Sequence, residues 1–112
     1  MSQMSIYEIQ AELCRSMSSA TRIEIVHVLR EGSLRVSEIA RLTNQPQANI
    51  SRHLSVLRNG GIVVAHRQGQ DVLYEISNPK IEMICDLMRE VLLEEASRRA
   101  RLVEGDQAAA PE

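Results

Sequence analysis

The sequence predicts a mainly α-helical domain that carries one small β-hairpin in its second half. Three observations support this fold class. Apolar residues recur at helical spacing through most of the 112-residue chain. Two short β-rich runs, IVVAHRQ and VLYEI, stand on either side of a glycine-containing turn. The chain contains no Trp and no Phe, so the core must be built from aliphatic side chains.

The first two helices are predicted at about residues 5–17 and 19–30. The stretch SSATR separates them, and Ser18 or Ser19 can cap the start of the second helix. Gly32 ends the second helix. The expected inward positions are Ile6, Ile9, Leu13 and Met17 on the first helix, and Ile23, Val26 and Leu29 on the second.

The third and fourth helices are predicted at about 36–43 and 46–59, joined by a turn. Pro46 suits the first position of the fourth helix, because the N–H that proline lacks would be unpaired there anyway. Gly60 can end this helix in a left-handed conformation. The expected buried positions are Ile39, Ala40 and Leu42 on the third helix, and Ile50, Leu54 and Leu57 on the fourth.

The hairpin is expected to turn at Gly69, Gln70 and Asp71, and a last helix should run from about Pro79 to Arg101. The domain is therefore expected to cover residues 1–103, followed by a disordered acidic tail at 104–112. The last helix has a near-heptad apolar stripe. This stripe consists of Ile81, Ile84, Cys85, Met88, Val91 and Leu92.

The order of these elements is α-α-α-α-β-β-α. A short helix, a turn and a second helix form a helix-turn-helix. A β-hairpin directly after the second of those helices corresponds to the wing of a winged helix-turn-helix.

Charge is unevenly distributed, although the formal net charge of the whole chain is only -2. Residues 33–70 carry five arginines against Glu38 alone, whereas acidic groups outnumber basic ones in the remainder of the chain. This central segment has a local positive field that suits nucleic acid. Solvated helix faces are the alternative explanation for such a run of charge.

The outward face of the fourth helix is polar but carries neither Glu nor Lys, in which an ordinary solvated face is usually rich. It suits a major groove, where Gln and Asn pair with adenine and Arg pairs with guanine. His53 either contacts a DNA phosphate or is a half-buried histidine bonded to the second helix. Arg67 on the wing either contacts DNA or is solvated. The predicted DNA-binding residues are Gln47, Asn49, Ser51, Arg52, His53, Ser55 and Arg67.

The chain resembles the ArsR/SmtB family of bacterial winged-helix repressors over about residues 5–100. The resemblance lies in LCRSMSSATRIEIVHVL, in VSEIARLTNQPQANISRHLSVLRNGGIV and in VLYEI. Its most specific parts are the Thr21-Arg22 pair and the block QANISRHLSVLRNGGIV. The resemblance implies a homodimer joined through the first and last helices, which binds a palindromic double-stranded DNA operator and is released by an inducer.

The zinc sites of that family do not transfer onto this sequence. The third helix, VSEIARLTN, contains no Cys and no His, and residues 79–103 contain acidic groups but no His. Oxygen ligands without imidazole make a poor zinc site. We therefore expect no metal site of the familiar kinds and no cofactor.

Cys14 and Cys85, on the first and last helices, are the candidates for sensing an inducer. Both thiols are inert and buried, or they form a redox or reactive-sulfur switch, or they bind arsenite or a soft metal. Family members that sense reactive sulfur carry their first cysteine on the second helix, whereas this chain carries it on the first.

The sequence does not indicate an enzyme, because it has no Gly-rich phosphate loop, HExxH or GxSxG motif. The alternative to DNA binding is a winged-helix module for protein interaction. We expect no signal peptide, no membrane span and no disulfide framework, and hence a cytoplasmic protein.

Overall fold

The elements follow one another in the predicted order in a computed structural model, which describes residues 3–109 and the side chains of residues 3–104. Its contacts divide the chain into two units, which separate between Glu82 and Met83. The helices are α1 (Ile6–Ser16), α2 (Ala20–Val28), α3 (Val36–Thr43), α4 (Gln47–Asn59) and α5 (Lys80–Ala109), and the strands are β1 (Val63–Gln68) and β2 (Asp71–Ile76).

Helix α1 begins with a reciprocal cap. The Ser5 hydroxyl accepts from the Glu8 N–H at 3.1 Å, and the Glu8 carboxylate accepts from the Ser5 N–H at 3.0 Å. These bonds lower the pKa of Glu8. None of the side chains of α1 is buried. Ile6, Ile9 and Leu13, which were expected to face inward, are exposed in the single chain, whereas Met17 after the helix is half-buried.

Helix α2 is capped by Ser19, as predicted, and continues into a short 3-10 turn at Leu29–Glu31. Its buried side chains are Ile25, Val26 and Leu29. The inward position predicted for Ile23 is wrong, because that side chain is exposed. The core-facing stripe runs at the spacing i, i+3, i+4, i+7 from half-buried Arg22, and this spacing places Ile25 inside.

Helix α3 has the predicted bounds, but Thr43 rather than Leu42 is buried. The Thr43 hydroxyl donates to the Ile39 carbonyl at 2.7 Å, so its polar atom is paired inside the core. Leu42 points outward and is 47% exposed. Pro46 lies one position earlier than predicted, as the residue that precedes the first turn of α4.

Helix α4 buries Ile50, Leu54 and Leu57, as predicted. The left-handed residue after it is Gly61, with φ of 77°, and not Gly60. Gly60 continues the helical conformation, and the Ile62 N–H then returns to the Leu57 carbonyl at 2.9 Å. This return bond requires the intervening residue to be left-handed, and glycine adopts that conformation without strain.

The wing is a two-stranded antiparallel hairpin, β1 and β2. Gln68 pairs with Asp71, so Asp71 lies at the start of β2 and not in the predicted tip, which reduces to Gly69 and Gln70. Leu34 and Tyr74 exchange backbone hydrogen bonds of 3.0 and 2.8 Å. These bonds attach the segment before α3 to the hairpin.

The core lies in the first unit and is aliphatic, as predicted. Side chains from α2, α3 and α4 meet there with the segment that leads into the wing. The most deeply buried apolar residues, each at most 2% exposed, are Ile25, Val26, Leu29, Ile39, Ile50, Leu54, Leu57, Ile62 and Val63.

Helix α5 is longer than predicted, because it continues through Ala109. Residues 104–109 are therefore helical where a disordered tail was expected, and residues 110–112 lie outside the described part of the chain. Gln and Ala are good helix formers, and the first proline after Pro79 is Pro111. None of the helices within residues 3–109 combines the length and apolar content that a membrane span needs.

Candidate nucleic-acid interface

The outward face of α4 presents a row of exposed, mostly small polar side chains. It lies opposite the buried stripe of Ile50, Leu54 and Leu57, and this burial fixes which side of the helix faces solvent. The helix carries Arg52 and Arg58 and no acidic residue. The exposed members of this face are Gln47, Ala48, Ser51, Arg52 and Ser55.

The start of α4 adds to the positive character of this face. Within the described residues, no side chain caps the helix, and the residue before its first turn is Pro46. Unpaired N–H groups and the helix dipole make such an end favourable for a phosphate.

Asn49 differs from its neighbours on this face because it is half-buried and bonded on both sides of its amide. Its Nδ2 donates to Gln45 Oε1 at 2.9 Å, and its Oδ1 accepts from Arg52 Nη2 at 3.3 Å. We refer to these three side chains as the Gln45–Asn49–Arg52 network. Arg52 is exposed, so the network extends from the turn before α4 to the solvent-facing side of the helix.

His53 is half-buried and bonded to the second helix, the structural role that the sequence left open beside phosphate contact. Its Nδ1 lies 3.2 Å from Arg22 Nη1. A guanidinium can only donate, so Nδ1 accepts and the proton of neutral His53 is on Nε2. Desolvation, followed by the charges of Arg22 and Arg52, lowers the pKa of His53 from the usual 6.5.

Arg22 connects three helices and had no role assigned from the sequence. Its Nε donates to the Ser16 carbonyl at 2.6 Å, and its Nη2 donates to the Arg15 carbonyl at 3.3 Å. Together with the bond to His53, these contacts form what we call the Arg22 bridge, which links the end of α1 to α4. Carbonyls in the last turn of a helix lack intrahelical partners, so a cation suits this position.

The wing presents Arg67 on β1, where its side chain is exposed. At the other end of the hairpin loop, Asp71 lies 3.8 Å from Arg35, which also pairs with Glu38 at 3.3 Å. Arg35 precedes the first turn of α3. The ion pair with Asp71 therefore connects the helix-turn-helix to the wing.

The two cysteines lie in different units of the chain. Cys14 is exposed on α1, and Cys85 is half-buried on α5. Neither thiol is enclosed in the core of the single chain. Among the described side chains, no three Cys, His, Asp or Glu residues are close enough together to hold a metal ion.

Comparisons with known proteins place this geometry in a family. The family model "Bacterial regulatory protein, arsR family" matches residues 19–64, which include α2, α3, α4 and the start of the wing. The transcriptional repressor PagR of Bacillus anthracis is 35% identical over 85 residues, which cover 75% of this chain and 85% of PagR. The chain belongs to the ArsR/SmtB family.

Solved structures agree with the fold of this ArsR-family regulator. The crystal structure of Rv0081 from Mycobacterium tuberculosis has a TM-score of 0.78 and 30% identity, and the match covers 88% of this chain and 99% of that one. A homodimeric winged helix-turn-helix DNA-binding domain from Mycobacterium bovis has a TM-score of 0.72 and 25% identity, with coverage of 84% and 92%.

These matches confirm the predicted family and the winged helix-turn-helix fold. The chain is a transcriptional regulator, and the relatives that it matches are regulators rather than enzymes, as the sequence predicted.

Sequence reasoning missed two residues of the site, Arg22 and Gln45. For Arg22, the signal is its position in the buried stripe of α2, three, four and seven residues before Ile25, Val26 and Leu29. Gln45 stands four residues before Asn49, and amide side chains at that spacing can bond across one helical turn.

Proposed function

We propose that this chain is a homodimeric repressor that binds a palindromic DNA operator through α4 of each protomer and leaves it when an inducer binds. The observation that carries this proposal is the exposed face of α4, which is polar, free of acidic groups and held outward by a buried stripe on the opposite side.

The chemistry of each side chain on that face matches a feature of the major groove. Arg52 donates to the O6 and N7 acceptors of guanine, Gln47 pairs with adenine, and the Ala48 methyl contacts a thymine methyl. Ser51 donates to phosphate or to a base edge. The Ser55 hydroxyl donates its one hydrogen to the Ser51 carbonyl at 3.2 Å, which keeps this side chain close to the helix and leaves its oxygen to accept from a base N–H.

The wing and the start of α4 supply contacts to the DNA backbone in this proposal. Arg67 reaches phosphate or the adjacent minor groove, and the N–H groups of the first turn of α4 face a phosphate. His53 can donate only its Nε2–H to a phosphate, because its Nδ1 is engaged by Arg22. Backbone contacts of this kind increase affinity and make it dependent on salt.

A second protomer is supported by apolar surface that the single chain leaves open. On α1, Ile6 is 68% exposed and Tyr7 is 79% exposed, and an open groove between α1 and α4 is lined by Ile9, Leu13 and Val56. Contiguous apolar surface of this kind marks interaction sites. The large apolar residues exposed on α5 are Met83, Ile84, Leu87, Met88, Val91, Leu92, Leu93, Leu102 and Val103.

A two-fold pair of protomers would place two copies of α4 in successive major grooves, ~34 Å apart on one face of the duplex. The operator would then be palindromic, because a two-fold protein presents the same face to each half-site.

Release by an inducer is proposed to depend on Cys14 and Cys85. The exposed thiol of Cys14 is on α1 and the half-buried thiol of Cys85 is on α5, the two helices that we assign to the dimer interface. Oxidants, reactive sulfur species or arsenite that modify these thiols would alter that interface and thereby the spacing of the two α4 helices. A coupling of ~1–3 kcal/mol between the two sites is typical of such regulation.

The proposed DNA binding is tested by selection of tight-binding duplexes from a random pool, followed by affinity measurements at increasing salt. We expect selected sequences with two-fold symmetry and affinity that falls steeply with salt. A winged-helix module for protein interaction would give neither. A lone subunit at micromolar concentration in analytical ultracentrifugation would contradict the proposed dimer.

The proposed sensing is tested with Cys14→Ser and Cys85→Ser variants bound to the selected duplex. Peroxide, polysulfide and arsenite are added separately, and mass spectrometry identifies the modified thiol. Release of wild type but not of the variants supports the proposal. Equal release of all three proteins would rule out both thiols.

A further inference from the structure

Gln45 lies in the turn between α3 and α4, and its backbone is fixed from both sides. Its N–H donates to the Ala40 carbonyl at 3.0 Å, which closes the end of α3. Asn44 before it is left-handed, with φ of 54°. Pro46 after it favours an extended backbone at Gln45. The half-buried side chain of Gln45 therefore starts from a fixed position, directly before the face of α4 that we propose to contact DNA.

The bonds to Gln45 and to Arg52 together fix which way round the Asn49 amide stands. Gln45 Oε1 accepts from Asn49 Nδ2 at 2.9 Å, so Asn49 Oδ1 is left on the side of Arg52 and accepts from Arg52 Nη2 at 3.3 Å. With the amide reversed, Asn49 would present its NH2 group to the guanidinium, which can only donate. The bond to Arg52 would then be lost, and the bond to Gln45 would survive only if the Gln45 amide turned as well.

We propose that Gln45 is a positioning residue that sets the base selectivity of Arg52 by fixing the amide of Asn49. The inference rests on the proposed function, because Arg52 has a base to select only if α4 enters the major groove. It also changes the role predicted for Asn49, whose amide holds a neighbouring side chain in addition to facing the groove.

The network orients Arg52 before DNA arrives. Arg52 is exposed, and a free arginine side chain samples many rotamers that binding would have to restrict. The Asn49 carbonyl holds one Nη2–H and leaves the remaining N–H groups of the guanidinium to donate to a base. Pre-orientation matters most for a bidentate contact to guanine, which needs two donors in one plane.

Gln45→Met is the informative variant, because Met has a similar size but has no carbonyl oxygen to accept from Asn49. Gln45→Glu is its matched control, because a carboxylate oxygen can still accept from Asn49 Nδ2. The added negative charge should weaken all DNA binding by Gln45→Glu to a similar extent, while the ratio of affinities between two sequences is retained.

The measured quantity is the ratio of the affinities for the selected duplex and for a duplex in which one guanine is replaced by adenine. The guanine is the one at which Arg52→Ala loses discrimination. Immobilising one flexible side chain costs ~0.5–1.5 kcal/mol. We therefore expect Gln45→Met to lower the ratio about 2- to 12-fold. Gln45→Glu should keep the wild-type ratio, and Gln45→Met should have no further effect in an Arg52→Ala background.

Three results would overturn the inference: an unchanged ratio in Gln45→Met, an equal loss of the ratio in Gln45→Glu, or the same loss in the Arg52→Ala background. Failure of the proposed function gives a different result, since wild type would then show no salt-sensitive, sequence-selective complex. Urea unfolding of each variant checks that the fold is intact. We expect it to be so, because Gln45 is not part of the aliphatic core.

Discussion

Replacement of Arg22 by alanine should destabilise the first unit, chiefly where α1 meets α4. The variant loses the three side-chain bonds of the Arg22 bridge, to the carbonyls of Ser16 at 2.6 Å and Arg15 at 3.3 Å and to His53 at 3.2 Å. No side chain of α1 is buried, so little apolar packing within the chain compensates for their loss.

The magnitude follows from the type of each bond. A short bond from a charged donor contributes ~1.5–3 kcal/mol, and each of the two longer bonds contributes ~0.5–1 kcal/mol. Arg22 is only half-buried, and water can replace some of these contacts. We therefore expect Arg22→Ala to lower the free energy of unfolding by ~2–4 kcal/mol, out of the ~5–15 kcal/mol typical of a whole domain.

Urea unfolding at a fixed protomer concentration measures this loss, with Arg67→Ala as the matched control. Arg67 is exposed on the wing, so its replacement should change stability by less than ~0.5 kcal/mol. Amide hydrogen exchange should accelerate most in α1. The reasoning would be refuted if Arg22→Ala and Arg67→Ala unfolded at the same urea concentration, or if exchange in α1 were unchanged.

Further predictions concern the acid range, the end of α4 and the wing. The pKa of His53 is lowered from 6.5 in the folded chain. As the pH falls through 6.5, His53 of the unfolded chain binds a proton before His53 of the folded chain does, so the free energy of unfolding should decrease. His53→Asn keeps an acceptor for Arg22 but does not titrate, and identical pH profiles of the two proteins in urea unfolding would contradict the assignment. Gly61→Ala should cost ~1–2 kcal/mol, because φ is 77° there; an unchanged urea midpoint would argue against a left-handed residue. Arg67→Ala should weaken binding to all duplexes about equally and reduce the salt slope by ~1, whereas a change in base preference would make Arg67 a base-reading residue.

Much of the fold could be predicted because local signals agree with one another. Capping serines, the Gly-containing turns and the apolar stripe of α4 each mark an element, and the bounds of α3 were predicted correctly. The errors at Ile23 and Leu42 have one cause. On a short helix, two adjacent stripes have similar apolar content, and the packing partner decides which of them is buried.

The candidate site could be predicted only in part. Residue types and helical spacing identified the exposed face of α4, including Gln47, Ser51 and Arg52. His53 is bonded to Arg22, and Asn49 is bonded to Gln45. Arg22 and His53 are 31 residues apart in the sequence. Sequence spacing contains no information about such a contact until the packing of α2 against α4 is known.

The end of α5 was predicted too early from the composition of the chain. A polar, acidic segment was expected to be disordered from residue 104, yet the helix continues through Ala109. Glu, Gln and Ala in this segment favour a helix, whereas Gly105 and Asp106 do not, so helix propensity alone does not account for the continuation. Composition alone could not separate these two outcomes, because both disordered tails and exposed helix ends are polar.

The most direct test of groove recognition by α4 is a coupling measurement between Arg52 and the N7 atom of guanine. Each guanine of the selected duplex is replaced in turn by 7-deazaguanine, and affinities are measured for wild type and for Arg52→Ala. The account predicts one guanine per half-site at which the replacement weakens wild type by ~1–3 kcal/mol and leaves Arg52→Ala unaffected. Equal penalties for the two proteins at every guanine would contradict it.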